Sequence, residues 1–214
     1  MSKRAALILG GGALLGGAAM VLVYAIRWRR DPSACPYRWG RFGTEMPRPL
    51  ITRGRLRELL APQPGERVLE VGPGTGYYAL EVARWITPDG KLDVLDLQQE
   101  MLDHTMRRAS ERRIPNIVPT RGDAQALPYP DGTFDAAYLV ATLGEIPDQD
   151  AALRELRRVL KPGGRLVVGE SLPDPHMVTF DSLLSRAEAE GFRFERRLGR
   201  KFGYFARFST REGM

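Results

Sequence analysis

Cysteine and histidine are scarce: one cysteine, Cys35, and two histidines, His104 and His176, in 214 residues. A single cysteine excludes a disulfide framework within the chain, and so few thiol and imidazole ligands leave no structural metal to be expected. Charge is missing from one whole segment, since Ala5 to Ile26 runs for 22 residues without Asp, Glu, Lys or Arg. Acidic residues are scarce at the same end. Residues 1–60 hold eleven Lys/Arg against Asp31, Glu45 and Glu58, a balance of +8, whereas the remaining 154 residues hold 21 basic and 23 acidic groups, a balance of −2. The formal charge of +6 therefore belongs to the N-terminal segment, where anionic lipid headgroups are the natural partner. No nucleic-acid partner is expected, because the part able to fold carries no basic excess.

What is present begins with that apolar run. Twenty-two residues make about 33 Å of helix at about 1.5 Å per residue, against a hydrocarbon core of about 30 Å. The run ends in Arg27, Trp28, Arg29 and Arg30, a basic flank with an interfacial aromatic. Five Lys/Arg follow the run closely while only Lys3 and Arg4 precede it, so the bias places the folded part on the cytoplasmic face of a single-pass protein. Gly12 and Gly16 form a GxxxG pair, of the kind that packs two such helices into a homodimer. The alternatives are a cleaved secretory signal with a small-residue site near Ala18 and Ala19, a wrong start codon, or a soluble core helix. The division expected is a membrane anchor over 1–30, a juxtamembrane linker over 31–48 and one folded domain over 49–214. In the linker, Tyr37, Trp39 and Phe42 are placed either at headgroup level, over the site, or simply packed on the domain.

With 43% apolar residues the domain can bury a full core. A helix near Leu50 to Leu60 stops at Pro62 and Pro64, and beyond it short apolar runs alternate with amphipathic ones. Strands are predicted over 67–71, 91–95, 117–121, 134–139, 165–170, 192–198 and 204–209, and helices over 76–86, 99–112, 149–160 and 178–190. Such alternation means an α/β fold with a mostly parallel seven-stranded sheet covered on both faces. The last two strands, separated only by Gly199–Gly203, form an antiparallel hairpin at its edge.

Ligands of such sheets sit beyond the carboxyl ends of the strands, and the informative residues fall there. The first strand ends in Glu70, Val71, Gly72, Pro73, Gly74, Thr75 and Gly76, where glycines let the backbone turn sharply and approach a ligand. The dinucleotide pattern G-x-G-x-x-G is not met, because position 77 is Tyr77. Twenty residues past Gly76, the second strand ends in Asp96, placed to accept two hydrogen bonds from a ribose diol or else simply solvated. The third ends in Arg121, Gly122, Asp123 and Ala124, a carboxylate that either accepts from an adenine amine or only makes a turn.

The runs VLEVGPGTGYYALEVA, LDVLDLQQEML, RGDAQALPYPDGTFDAAYLVATLGEIPD and ALRELRRVLKPGGRLVVGE resemble, in order and spacing, class I methyltransferases of the ubiquinone/menaquinone-biosynthesis type, often called type 11. The resemblance covers roughly Pro64 to Ser209. It implies a Rossmann-like doubly wound fold and S-adenosylmethionine as cofactor. It places Glu70, Gly72, Gly74 and Gly76 around the methionine part, Asp96 at the ribose with Leu97 beside the adenine, and Asp123 with Ala124 at the adenine. Val140 to Thr142 would floor the sulfonium, and Lys161 to Gly164 would turn into the fifth strand. Where family members often carry histidine, this chain has Leu143, Gly144 and Glu145.

A sulfonium is already activated, so an enzyme of this kind mainly aligns acceptor and methyl, and needs a base only when the acceptor must lose a proton. The candidate bases are Glu145 and His176, while His104 is expected on the surface. The acceptor is expected to be small and lipophilic, a quinone precursor or a lipid. Rival readings are a membrane-tethered module that binds the cofactor without catalysis, a nicotinamide oxidoreductase, and an aminopropyl transferase, for which the paired acids that grip a polyamine are missing.

Overall fold

The computed structural model describes residues 32–37 and 48–210. The predicted anchor over 5–26, its Gly12/Gly16 pair, and Trp39 and Phe42 of the linker lie outside them. Among the described residues no helix is long and apolar enough to cross a membrane.

Helix α1 (Arg53–Leu60) starts where the Thr52 hydroxyl accepts the Arg55 N–H, and ends at Ala61 in the left-handed region, ahead of Pro62. Its Leu56, Leu59 and Leu60 are fully buried, one apolar stripe at helical spacing. Strand β1 (Arg67–Val71) leads through the glycine turn into α2 (Ala79–Trp85), and β2 (Lys91–Asp96) into α3 (Gln99–Glu111). Then come β3 (Ile117–Arg121), β4 (Phe134–Val140) and a single 3-10 turn at Leu143–Glu145. Helix α4 (Gln149–Val159) is capped by Asp148, β5 spans Leu160–Ser171, and α5 (Phe180–Ala189) is capped by Thr179. The hairpin β6 (Phe192–Arg200) and β7 (Gly203–Thr210) ends the described residues.

The seven strands lie in the order β3-β2-β1-β4-β5-β7-β6, parallel except that β7 runs against both β5 and β6. Alternation along each strand feeds two cores. Val68, Val94 and Tyr138 face α1, α2 and α3, while Leu69, Leu95 and Leu139 face α4 and α5. The order reverses between β1 and β4, and at such a switch point the connections diverge and leave a crevice.

Three boundaries differ from the sequence reading for physical reasons. The second helix starts at Ala79 rather than Gly76, because Gly72, Gly74 and Gly76 have φ of 70°, 56° and 81°, outside the range of a right-handed helix. The turn predicted at Lys161–Gly164 is a bulge inside β5: Leu160 pairs with Phe134 and Arg165 with Ala136, so the four residues between loop out opposite Asp135. The hairpin is tighter than expected, with Arg200 paired to Gly203 across a two-residue turn at Lys201 and Phe202.

Candidate active site

A cavity of about 610 Å³ opens over the carboxyl ends of β1, β2, β4 and β5. One wall is the turn after β1. Its shape is fixed from behind by α3, where the Thr105 hydroxyl donates to the Gly74 carbonyl at 3.1 Å and the buried Arg108 guanidinium to that of Thr75. An ideal Cβ on Gly74 would meet no protein atom within 4 Å, so the backbone there borders open space. At Gly72 a Cβ would lie 2.4 Å from the Thr142 methyl, so the turn also packs tightly against the end of β4.

Asp96, Leu97, Asp123 and Ala124 all line this cavity. Asp96 accepts the Gln98 N–H at 2.9 Å, and burial pushes its carboxyl up to about 6 against backbone hydrogen bonds that pull it down. Asp123 is oriented by Gln125, whose N–H and side-chain amide both donate to it at 2.9 Å. Val140 to Thr142 lie on the wall as well, with Ala141 held at φ 52° at the end of β4, a strained conformation for a residue with a Cβ.

Two residues matched to the glycine loop are elsewhere. Glu70 is buried beneath the turn, where the Tyr138 hydroxyl donates to it at 2.7 Å, and burial pushes its carboxyl up to about 8. Period-two alternation explains this, because Glu70 shares its sheet face with Val68 rather than reaching the rim. Gly76 faces Thr105 instead of the cavity.

Of the two candidate bases only Glu145 borders the cavity. Its carboxyl is pushed up to about 8, chiefly by burial and further by Asp174 and Asp96, and it accepts the Cys35 N–H at 3.0 Å. His176 is buried behind the wall, its N–H on Asp174 at 2.8 Å and its carbonyl directly over Gly144. Any Cβ at residue 144 would collide with that carbonyl, at 1.8 Å. The glycine at 144 is thus what admits the loop.

Residues read as linker form part of the site. Pro32–Tyr37 crosses the cavity, with Ala34 and Cys35 on its wall. Gln98 holds this strap from both sides, donating to the Cys35 carbonyl at 2.9 Å and accepting the Tyr37 N–H at 3.2 Å. The Tyr37 hydroxyl lies 3.1 Å from Nδ1 of His104, which is half-buried under the strap rather than on the surface. No period in the sequence marks these contacts; Tyr37 is the one visible hint. Also missed are Arg48, on the cavity wall and stacked over Tyr77 at 4.6 Å, and two acids. Asp174 lines the cavity and burial raises its carboxyl, while Glu170 is wholly buried and held well above the usual carboxylate range by that burial.

Among curated proteins, the ubiquinone/menaquinone biosynthesis C-methyltransferase UbiE of Cellvibrio japonicus is 41% identical over 124 residues, 58% of this chain and 48% of that one. The chain spans about half the length of the curated relatives it matches. Among solved structures, a SAM-dependent methyltransferase from Aquifex aeolicus superposes with a TM-score of 0.76 at 21% identity, over 82% of this chain and 99% of that one. The [4+2]-cyclase SpnF superposes with a TM-score of 0.68 at 26% identity, over 75% and 80%. The model of the ubiE/COQ5 methyltransferase family matches residues 50–183, the stretch that carries the glycine turn, both rim aspartates and the cavity floor. The chain belongs to that family and, with it, to the class I S-adenosylmethionine-dependent methyltransferases.

Proposed function

We propose that this protein moves a methyl group from S-adenosylmethionine to a small lipophilic acceptor, with residues 5–26 holding the domain at the cytoplasmic face of a membrane. The observation that carries the first half is the convergence of the Gly72–Thr75 turn, Asp96 and Asp123 on one cavity wall. The residues present fit the cofactor: Gly74 borders space that a side chain would fill, Asp96 can accept from a ribose diol, and Asp123 from an adenine amine. When bound, the sulfonium supplies an electrophilic methyl. The protein's own part is to align the acceptor, exclude water beneath the strap, and offer Glu145 as proton acceptor where one is needed.

The second half rests on the uncharged run of 22 residues and on the apolar lining residues Leu50, Ile51, Ile146, Leu172 and Pro173, which suit an apolar acceptor. A relative named for C-methylation in ubiquinone/menaquinone biosynthesis makes a quinone precursor the first acceptor to try, ahead of a lipid headgroup. The test is transfer of tritiated methyl from labelled cofactor into membrane extract, with calorimetry against S-adenosylmethionine and NAD alongside. Label in an organic-soluble product is expected, and Gly74→Val should abolish cofactor binding in a folded protein. Binding without transfer would point to the tethered module, and heat with NAD alone to the oxidoreductase.

A further inference from the structure

Five large apolar side chains are exposed among the described residues: Leu50, Leu97, Val118, Leu172 and Phe202. Scattered singly they would need no explanation. Three of them are neighbours. Leu50 packs directly over Gly203, the first residue of β7, and the Leu172 N–H donates to the Phe202 carbonyl at 2.9 Å. Leu50 and Leu172 also line the cavity, while Phe202, the most exposed of the five at 58%, stands beside them at the hairpin tip. The patch exists because β7 is antiparallel to β5, pairing Gly203 with Ser171 and so bringing the β6–β7 tip to the rim where the cavity opens.

Basic side chains flank the exposed tip, while Asp174 and Glu145 line the cavity wall. Arg200 and Lys201 are exposed in the tip itself, and Arg55 is fixed next to the patch by donating to the Leu50 carbonyl at 2.6 Å. Arg48 lines the adjoining mouth. An apolar tip among guanidinium and ammonium groups matches an anionic bilayer surface, where rings enter the acyl boundary and cations meet phosphates. Chain length agrees. Five residues lie between Ile26 and Pro32, six steps that span at most about 22 Å, and the strap that follows already lies on the cavity. A helix ending at Ile26 would therefore deliver the domain to the bilayer mouth first.

We infer that the β6–β7 tip, with Leu50 and Leu172, is a docking surface that seats the cavity mouth on an anionic bilayer. The inference needs neither methyl transfer nor an identified acceptor, and only the chain-length step uses the anchor reading. The test is amide hydrogen exchange of the full chain in nanodiscs of phosphatidylcholine, in nanodiscs containing phosphatidylglycerol, and in neutral detergent micelles. Exchange at residues 200–203 should slow about tenfold or more in the anionic discs alone, since each basic residue near such a surface contributes roughly fivefold. Arg200→Glu with Lys201→Glu should remove that slowing, and Phe202→Ser most of it, with core exchange in β1 and β4 unchanged as the control for folding. Equal rates in both discs would overturn the inference. So would slowing in micelles that grows with protein concentration, the mark of a second copy. A chain that enters neither disc reports against the anchor instead, and the same amides are then read with preformed anionic vesicles, where unaltered exchange overturns the docking.

Discussion

At the scale of single residues, the site is a set of acids held in a cavity that raises their proton affinity. Asp96 can accept a charge-assisted hydrogen bond from a ribose on each oxygen only as a carboxylate, and its acid form persists to about pH 6. Cofactor affinity should therefore rise with pH through about 6 and level off above 7, read by calorimetry between pH 5 and 8. Asp96→Asn should flatten that rise, and Asp96→Ala should cost about 2–4 kcal/mol at pH 7.5, or roughly 30-fold to 1,000-fold in affinity. Glu145 gives a stability prediction of definite sign. Its carboxyl lies at about 8 in the folded protein against its ordinary 4.5, so folding favours the protonated form: stability is fully present below pH 4.5 and lost as pH rises through about 8. Glu145→Gln keeps an oxygen for the Cys35 N–H while removing the charge. The cofactor-free variant should then be more stable than the parent at pH 9, by a few kcal/mol at about 1.4 kcal/mol per unit, and no more stable at pH 4.5, measured as urea midpoints.

The elements differ in how much of them the sequence displays. The strap owes its position to hydrogen bonds rather than to buried apolar area, so Gln98→Ala should release it. Losing two bonds at about 0.5–1.5 kcal/mol each should speed amide exchange at residues 34–37 by about 5-fold to 150-fold without a comparable change in β1. Helices α4 and α5 are legible because a side-chain cap sits before an apolar stripe, and the parallel strands because their runs are short and bounded by turns. The strap is invisible in the same sequence, since Gln98, Cys35 and Tyr37 meet at 61 to 63 residues' separation with no period to announce them. The rim aspartates were readable from strand ends alone. The resemblance matches Glu70 to the glycine loop, whereas alternation puts its side chain on the Val68 face, opposite that of Leu69, where it is buried. The buried Glu170 and the cavity-lining Asp174 have no pattern at all; they are found only once β5 and its loop are folded over the cavity.

For the whole molecule, the charge division between an N-terminal +8 and a remaining −2 goes with a proposed division of labour between attachment and chemistry. Deleting residues 1–30 tests it. The shortened protein should lose most methyl transfer on intact vesicles and regain it on a detergent-dispersed extract, because the tether supplies encounter rather than catalysis; a labelled product in the aqueous phase would end the lipophilic-acceptor reading.

The antiparallel seventh strand also sets a schedule for biosynthesis. Because β7 lies between β5 and β6 in the sheet, the half of the sheet beyond β4 cannot close until residues 203–210 have left the ribosome. At about 5–20 residues per second, the first thirty residues emerge many seconds before that. An anchor there would be delivered to the bilayer while the rest was still a nascent chain, so the domain would complete its folding at the membrane surface, already beside the lipid on which we propose it works.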